Sequence, residues 1–162
     1  SPTYFVELEL ADADGKPASR NVYWLSTRAD VLDWDRSNWY LTPLTQYADL
    51  TALRSLPAAA SEIRATTRRE GNDDVTTVAL SVPASSRAVA LFQHASIRLG
   101  AQGSLASPIT WSDNDVTLWP GESIILTARY AAQGTAAPVV EVDGWNVPAR
   151  SVPATATQET RH

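Results

Sequence analysis

Cysteine is absent from the 162 residues, which removes disulfides, zinc–thiolate sites and thiol nucleophiles together. Methionine is absent too, and a chain that begins Ser1-Pro2 with no Met anywhere is expected to be a processed product or an excised fragment. One lysine, Lys16, stands against 12 arginines, and acids and bases are interspersed at a net charge of −5. No basic stripe is present to neutralise phosphates, so no nucleic-acid partner is expected. No apolar run approaches the roughly 20 residues of a membrane-crossing helix, and no leader pattern is visible, so no membrane partner is expected either. No helix of ordinary length can be read anywhere.

What is present suits a globular domain: 44% hydrophobic and 19% charged residues, on a chain long enough to build a core without staples. The first segment alternates, with Tyr4, Val6, Leu8 and Leu10 on one face and Glu7 and Glu9 on the other. That is the period of a half-buried strand. Asp12-Ala13-Asp14-Gly15 supplies a turn into a second strand, Asn21–Ser26. A hairpin alone is marginal in water, so this one reads as the closing edge of a sandwich whose other strands lie elsewhere. Residues 27–57 carry Trp34, Trp39, Tyr40 and Tyr47 among Asp30, Asp33, Asp35 and Asp49, without strand alternation. Flexible linkers are Gly/Ser- or Pro-rich, so this stretch is expected to be an ordered connector lying against a neighbouring surface. Asp49 is expected to cap a helical turn through Leu53.

From residue 58 strand patterns recur at sandwich spacing: Ser61–Glu70, Val75–Val82, Ala88–Leu99, Ile109–Trp111, Val116–Trp119, Ser123–Tyr130 and Val139–Val142. Gly71-Asn72-Asp73 reads as a hairpin turn and Pro120-Gly121 as a turn with Gly at its third position. Val89, Leu91, Ala95, Ile97 and Leu99 form one apolar face, broken by Gln93. Trp119 and Trp145 read as core or core-edge residues. The Pro-, Ala- and Thr-rich stretch after Val147 is expected to be a disordered tail.

Little here can carry chemistry. Asp12-x-Asp14-Gly15 resembles the start of a calcium loop but lacks the distal glutamate, and turn chemistry accounts for it. Asp113 and Asp115 flank Asn114 near Trp111 and Trp119; a polar turn accounts for them better than a sugar or calcium site does. His94 faces away from Leu91 and Ile97, with neither a second histidine nor an orienting carboxylate evident in the sequence. No Gly-x-Ser-x-Gly elbow occurs, and Gly100-Ala101-Gln102-Gly103 has no helix or lysine after it to make a phosphate cradle. No catalytic residue, metal ligand or cofactor site is therefore assigned. The candidate interdomain or sugar contacts are Trp24, Trp34, Trp39 and Tyr40. Stacking on a sugar ring and anchoring the connector against protein are the two roles open to them.

Several aromatic-rich stretches together resemble one family. They are Asn21–Ser26, Asp30–Trp34, Trp39–Pro43 and Tyr47–Leu53, followed by Trp111–Asn114, Leu118–Glu122 and Gly144–Val147. In order and spacing they are similar to the C-terminal region of exo-β-D-glucosaminidases of glycoside hydrolase family 2. The resemblance implies an all-β fold: an immunoglobulin-like β-sandwich preceded by the terminal hairpin of a second, incomplete sandwich and by an ordered connector. On that reading, 1–27 ends the preceding immunoglobulin-like domain, 28–51 is the connector, 52–147 is the last immunoglobulin-like domain and 148–162 is the tail. The family's two catalytic glutamates would lie upstream on a (β/α)8 barrel, and none is carried onto this chain. The implied role is a non-catalytic accessory domain of a secreted, chitosan-degrading enzyme, packed against and supporting its catalytic barrel. The alternative is a module that binds chitosan. The implied partners are upstream domains of the same polypeptide and chitosan oligosaccharides.

Overall fold

The structure, a computed structural model, describes residues 2–157. The chain divides into two compact units, Ser1–Leu56 and Pro57–His162.

In the first unit, β1 (Thr3–Ala11) and β2 (Pro17–Ser26) form an antiparallel hairpin. Its turn closes on the Asp12 carboxylate, which accepts hydrogen bonds from the amides of Asp14 (3.0 Å) and Lys16 (2.8 Å). The register opposes Tyr4 to Leu25 and Val6 to Tyr23, so alternation places Tyr4, Val6, Leu8, Leu10, Tyr23 and Leu25 on one apolar face. The other face carries Phe5 opposite Trp24, and Glu7 ion-paired to Arg20. The short strands β3 (Val31–Leu32) and β4 (Leu44–Gln46) pair antiparallel, with a 3-10 turn at Trp34–Arg36 between them and another at Thr51–Ser55 after them. Ser26 Oγ accepts from Asp49 N at 3.0 Å, and Thr3 Oγ1 donates to Asp49 O at 3.0 Å, tying the connector to the hairpin. No described residue of this unit is fully buried. It has shape but no core.

The second unit has a core. Its strands are β5 (Glu62–Glu70), β6 (Asp73–Ser81), β7 (Ala90–Arg98), β8 (Ile109–Trp111), β9 (Val116–Leu118), β10 (Ser123–Ala131), β11 (Val139–Asp143), β12 (Arg150–Pro153) and β13 (Thr155–Ala156). They form sheets of order β13-β5-β6-β10-β8 and β12-β11-β7-β9. The four-strand set β5-β6-β10-β8 against β12-β11-β7 has the four-on-three layout of an immunoglobulin-like sandwich. Alternation decides the core: Val78 and Leu80 of β6, Leu126, Ala128 and Tyr130 of β10, Ala95 and Ile97 of β7 and Val140 and Val142 of β11 all point inward. Tyr130 satisfies its hydroxyl inside the sandwich by a 2.7 Å hydrogen bond with Thr76 Oγ1. Gly121, at φ 91, completes the turn after Pro120 with Glu122 N donating to Trp119 O.

All seven strands read between residues 61 and 142 are present, their ends agreeing to within two residues. Four expectations need correction. The segment after Val147 is not a disordered tail: β12 pairs with β11, and β13 pairs parallel with β5. Low hydrophobicity misled here because two sheet edges supply ready-made hydrogen-bond partners, so little apolar surface is needed to order the strand. Residues 158–162 of that expected tail lie outside the described residues. The alternation of β7 is not continuous. Gln93 shares its buried face with Ala95 and Ile97 as read, but Leu91 and Phe92 together oppose Thr117 in a bulge between the pairs Ala90–Leu118 and Gln93–Val116, so that Ala90 rather than Val89 is buried before it. Trp145 is exposed (56%) rather than in the core. Asp49 does not cap the turn it precedes: Leu50 holds the cap position, while the Asp49 carboxylate accepts from the amide and hydroxyl of Thr51.

On the outer face of the larger sheet, Arg129 bridges Glu70 and Asp73, and Arg68 also donates to Glu70. The hydrogen bond from Arg129, followed by that from Arg68, holds the Glu70 carboxyl below its ordinary 4.5. A depressed folded-state value means the stabilisation is complete above pH 4.5 and lost as pH falls through the depressed value. The expected result is that Glu70→Gln flattens the acid limb of stability, read as urea midpoints from about pH 6 to about pH 3.

Candidate functional site

The loop from Asp33 to Pro43 is built to hold its shape without burial. Asp33 N donates to Pro43 O (2.8 Å), closing the base, and Asn38 N donates to Leu41 O (2.9 Å). The Asn38 side chain accepts from the amides of Tyr40 (3.2 Å) and Leu41 (3.1 Å), and Ser37 and Thr42 share a hydroxyl hydrogen bond of 2.7 Å. Asp33 accepts from Arg36 Nε (2.6 Å) and Arg36 N (3.2 Å), and the side-chain hydrogen bond, opposed by partial dehydration, lowers the Asp33 carboxyl. Below the loop, Asp30 accepts from Ala48 N (2.7 Å), and Gln46 Nε2 donates to Ala29 O (2.6 Å).

On this frame the aromatics are bare: Trp34 is 70% exposed, Trp39 94% and Tyr40 71%. Trp39 and Tyr40 meet edge to face, ring centres 5.0 Å apart at 72°. The structure thus brings three of the four sequence-identified residues into one loop. Trp24 lies on the separate β1–β2 sheet beside Phe5 and is also partly exposed. Tyr47 and the face of Tyr4, Leu8, Leu10, Tyr23 and Leu25 extend the exposed apolar surface of the same unit.

The remaining polar candidates sit in turns. Asn114 imitates a strand residue, accepting from Ala95 N (2.8 Å) and donating to Ala95 O (2.9 Å), and Asp113 accepts from Asn114 N (2.8 Å). His94 does have an orienting carboxylate, contrary to the sequence reading: its Nδ1 lies 2.9 Å from Asp115 Oδ1. The two are 21 positions apart, and only the β7–β9 pairing brings them together. No local spacing signalled it. Among the described residues, no group of three His, Cys, Asp or Glu side chains is placed to hold a metal ion. The Asp33, Asp49 and Glu70 carboxyls are lowered, each chiefly by a side-chain hydrogen bond it accepts.

A family model described as the exo-beta-D-glucosaminidase Ig-fold domain matches residues 39–147. The chain belongs to this family. It is 44% identical over 157 residues to an exo-beta-D-glucosaminidase of Streptomyces avermitilis, covering 95% of this chain and 17% of that protein. It is 40% identical over 159 residues to the Amycolatopsis orientalis enzyme of the same name, covering 95% of this chain and 15% of the relative. The crystal structure of the Amycolatopsis orientalis exo-chitosanase CsxA superimposes with a TM-score of 0.88 at 39% identity, over 95% of this chain and 18% of that one. The chain therefore spans about a sixth of the length of the curated relatives it matches. Its fold is that of an accessory domain of such enzymes. The matched residues begin within the aromatic loop, at Trp39, and end at Val147, before β12.

Proposed function

We propose that this chain is the non-catalytic C-terminal accessory region of a secreted, retaining exo-β-D-glucosaminidase of glycoside hydrolase family 2, and that it packs against and supports the catalytic part of that polypeptide. One observation carries this reading: an ordered unit, residues 2–56, has no fully buried side chain yet exposes Tyr4, Leu8, Leu10, Trp34, Trp39 and Tyr40. Large apolar side chains exposed together on one unit in this number mark an interaction site. Aromatics bury roughly 150–250 Å² each, so at about 25 cal/mol per Å² full burial of the three loop aromatics is worth about 11–19 kcal/mol before ordering entropy. A loop rigid before docking loses little of that to ordering.

Two measurements test it. The isolated chain is expected to release no glucosamine from chitosan oligomers; release would sink the non-catalytic reading. In the full-length polypeptide, Trp34→Ala, Trp39→Ala and Tyr40→Ala combined are expected to lower the melting temperature by more than about 5 °C, since a loss of about 1 kcal/mol shifts even a domain of 150–250 residues by about 2–4 °C. An unchanged melting temperature would remove the packing role.

The 94% exposure of Trp39 also favours a second reading, a carbohydrate-binding module in which the loop stacks on chitosan. It requires saturable quenching of tryptophan fluorescence by chito-oligosaccharides that Trp39→Ala abolishes; quenching that survives Trp39→Ala would remove the loop as the sugar platform.

A further inference from the structure

The loop aromatics leave unexplained a groove on the second unit. Two cavities, of about 400 Å³ and 260 Å³, share His94, Ser96 and Leu105. The larger falls within the roughly 300–1,000 Å³ of small-molecule sites. Their walls differ in character. The smaller runs to Ile109 and the half-buried Trp111, giving apolar and aromatic surface. The larger is lined by Glu141, Asp143, Arg150 and Ser151, as β11 and β12 present them.

The charges there are not evenly committed. Arg98 Nε donates to Glu141 at 2.9 Å, and Arg150 Nη1 donates to the Ser61 carbonyl at 3.2 Å. Arg98 is thus ion-paired with Glu141, whereas Arg150 bonds a neutral carbonyl and keeps its charge within the cavity lining. Asp143, directly across from His94 in the β7–β11 register, accepts no hydrogen bond among the described residues, and Asp115 has only His94. Asp143 and Asp115, on either side of one imidazole, form no ion pair with a guanidinium, so two carboxylates stand against the single uncompensated guanidinium of Arg150, and Trp111 lines the far end of the same depression.

We propose that this groove binds an amino sugar, its ring against Trp111 and Leu105 and its ammonium beside Asp143. An ammonium supplies the missing cation through a charge-assisted hydrogen bond, and His94 and Ser96 are placed to meet ring hydroxyls. The ligand class is shared with the chitosan-binding reading of the aromatic loop, but the residues are not, and the packing role stands or falls separately.

The test is a titration of the ¹⁵N-labelled chain, followed by NMR, with the tetramer of glucosamine and separately with the tetramer of N-acetylglucosamine. The expected result is saturable shifts of the His94 and Asp143 amides and the Trp111 indole N–H, with the glucosamine tetramer binding at least about tenfold tighter. Asp143→Asn, an exposed substitution checked for folding by its unchanged spectrum elsewhere, is expected to weaken binding about tenfold, and Trp39→Ala to leave it unchanged. Equal affinity for the two tetramers, an unaffected Asp143→Asn variant, or shifts absent from the groove overturn the proposal. Shifts confined to residues 33–43 and lost in Trp39→Ala would overturn it too, while supporting the loop as the sugar platform.

Discussion

Ending the chain after Val147 is expected to abolish the cooperative unfolding transition of the sandwich. β12 supplies four register pairs to β11, from Val139–Pro153 to Val142–Arg150, and β13 pairs with Thr66 and Thr67 of β5. Thr157 N extends that ladder to Thr67 O at 2.8 Å. One ten-residue segment therefore closes an edge of each sheet. Its Ala154 is buried in the core, and Val152 packs against it. Burial of a valine is worth roughly 1.5–3 kcal/mol and each hydrogen bond about 0.5–1.5 kcal/mol net. Together these approach the roughly 5–15 kcal/mol that holds a typical domain folded. Truncation also bares the edges of β11 and β5, templates for intermolecular pairing. The expected readout is a truncated chain that elutes as aggregate and shows no sigmoidal thermal melt. A monomeric product melting within about 5 °C of the parent would show that the closing strands are dispensable.

Replacing Asn146 by alanine is expected to cost about 2–4 kcal/mol, measured as a fall in urea midpoint. One side chain joins three backbone segments: Oδ1 accepts from Leu91 N (2.9 Å), and Nδ2 donates to Val89 O (2.9 Å) and Pro57 O (2.8 Å). The Asn146 carbonyl also accepts from Ala59 N at 2.9 Å. Alanine keeps that last bond and loses the other three, leaving groups beside the β7 bulge unpaired in part-buried surroundings. The bulge cannot relax to compensate. Gly144 packs so closely that a Cβ there would lie 2.9 Å from Leu91 O and 3.0 Å from Phe92 O, so the loop has no room to shift toward the strand. Asn146→Asp is expected to be worse than alanine, because a carboxylate would face two carbonyl oxygens it cannot bond. A cost below about 0.5 kcal/mol for the alanine variant would show that water replaces all three hydrogen bonds.

The strands of the sandwich were legible because alternation is a local property. Val78 and Leu80, or Leu126, Ala128 and Tyr130, declare their face within a few residues. The aromatic loop was legible for a different reason: Trp34, Trp39 and Tyr40 sit among polar neighbours with no period, so no strand of this chain was available to bury them. Asn146 was not legible as a tie. Its partners, Leu91 and Pro57, are 55 and 89 positions away. The same distance problem hid the carboxylate of His94 and the groove around it.

By itself, then, the order of residues determined that the chain is all-β, where most strands run, and which aromatics stand in the connector, since period and turn chemistry act over a handful of positions. Only the tertiary structure decided that residues 150–156 complete both sheets, that β7 bulges at Leu91 and Phe92, and that Trp145 faces solvent. Each of those outcomes depends on which backbone edge a segment finds. That choice is made by long-range pairing, which leaves no mark on neighbouring residues.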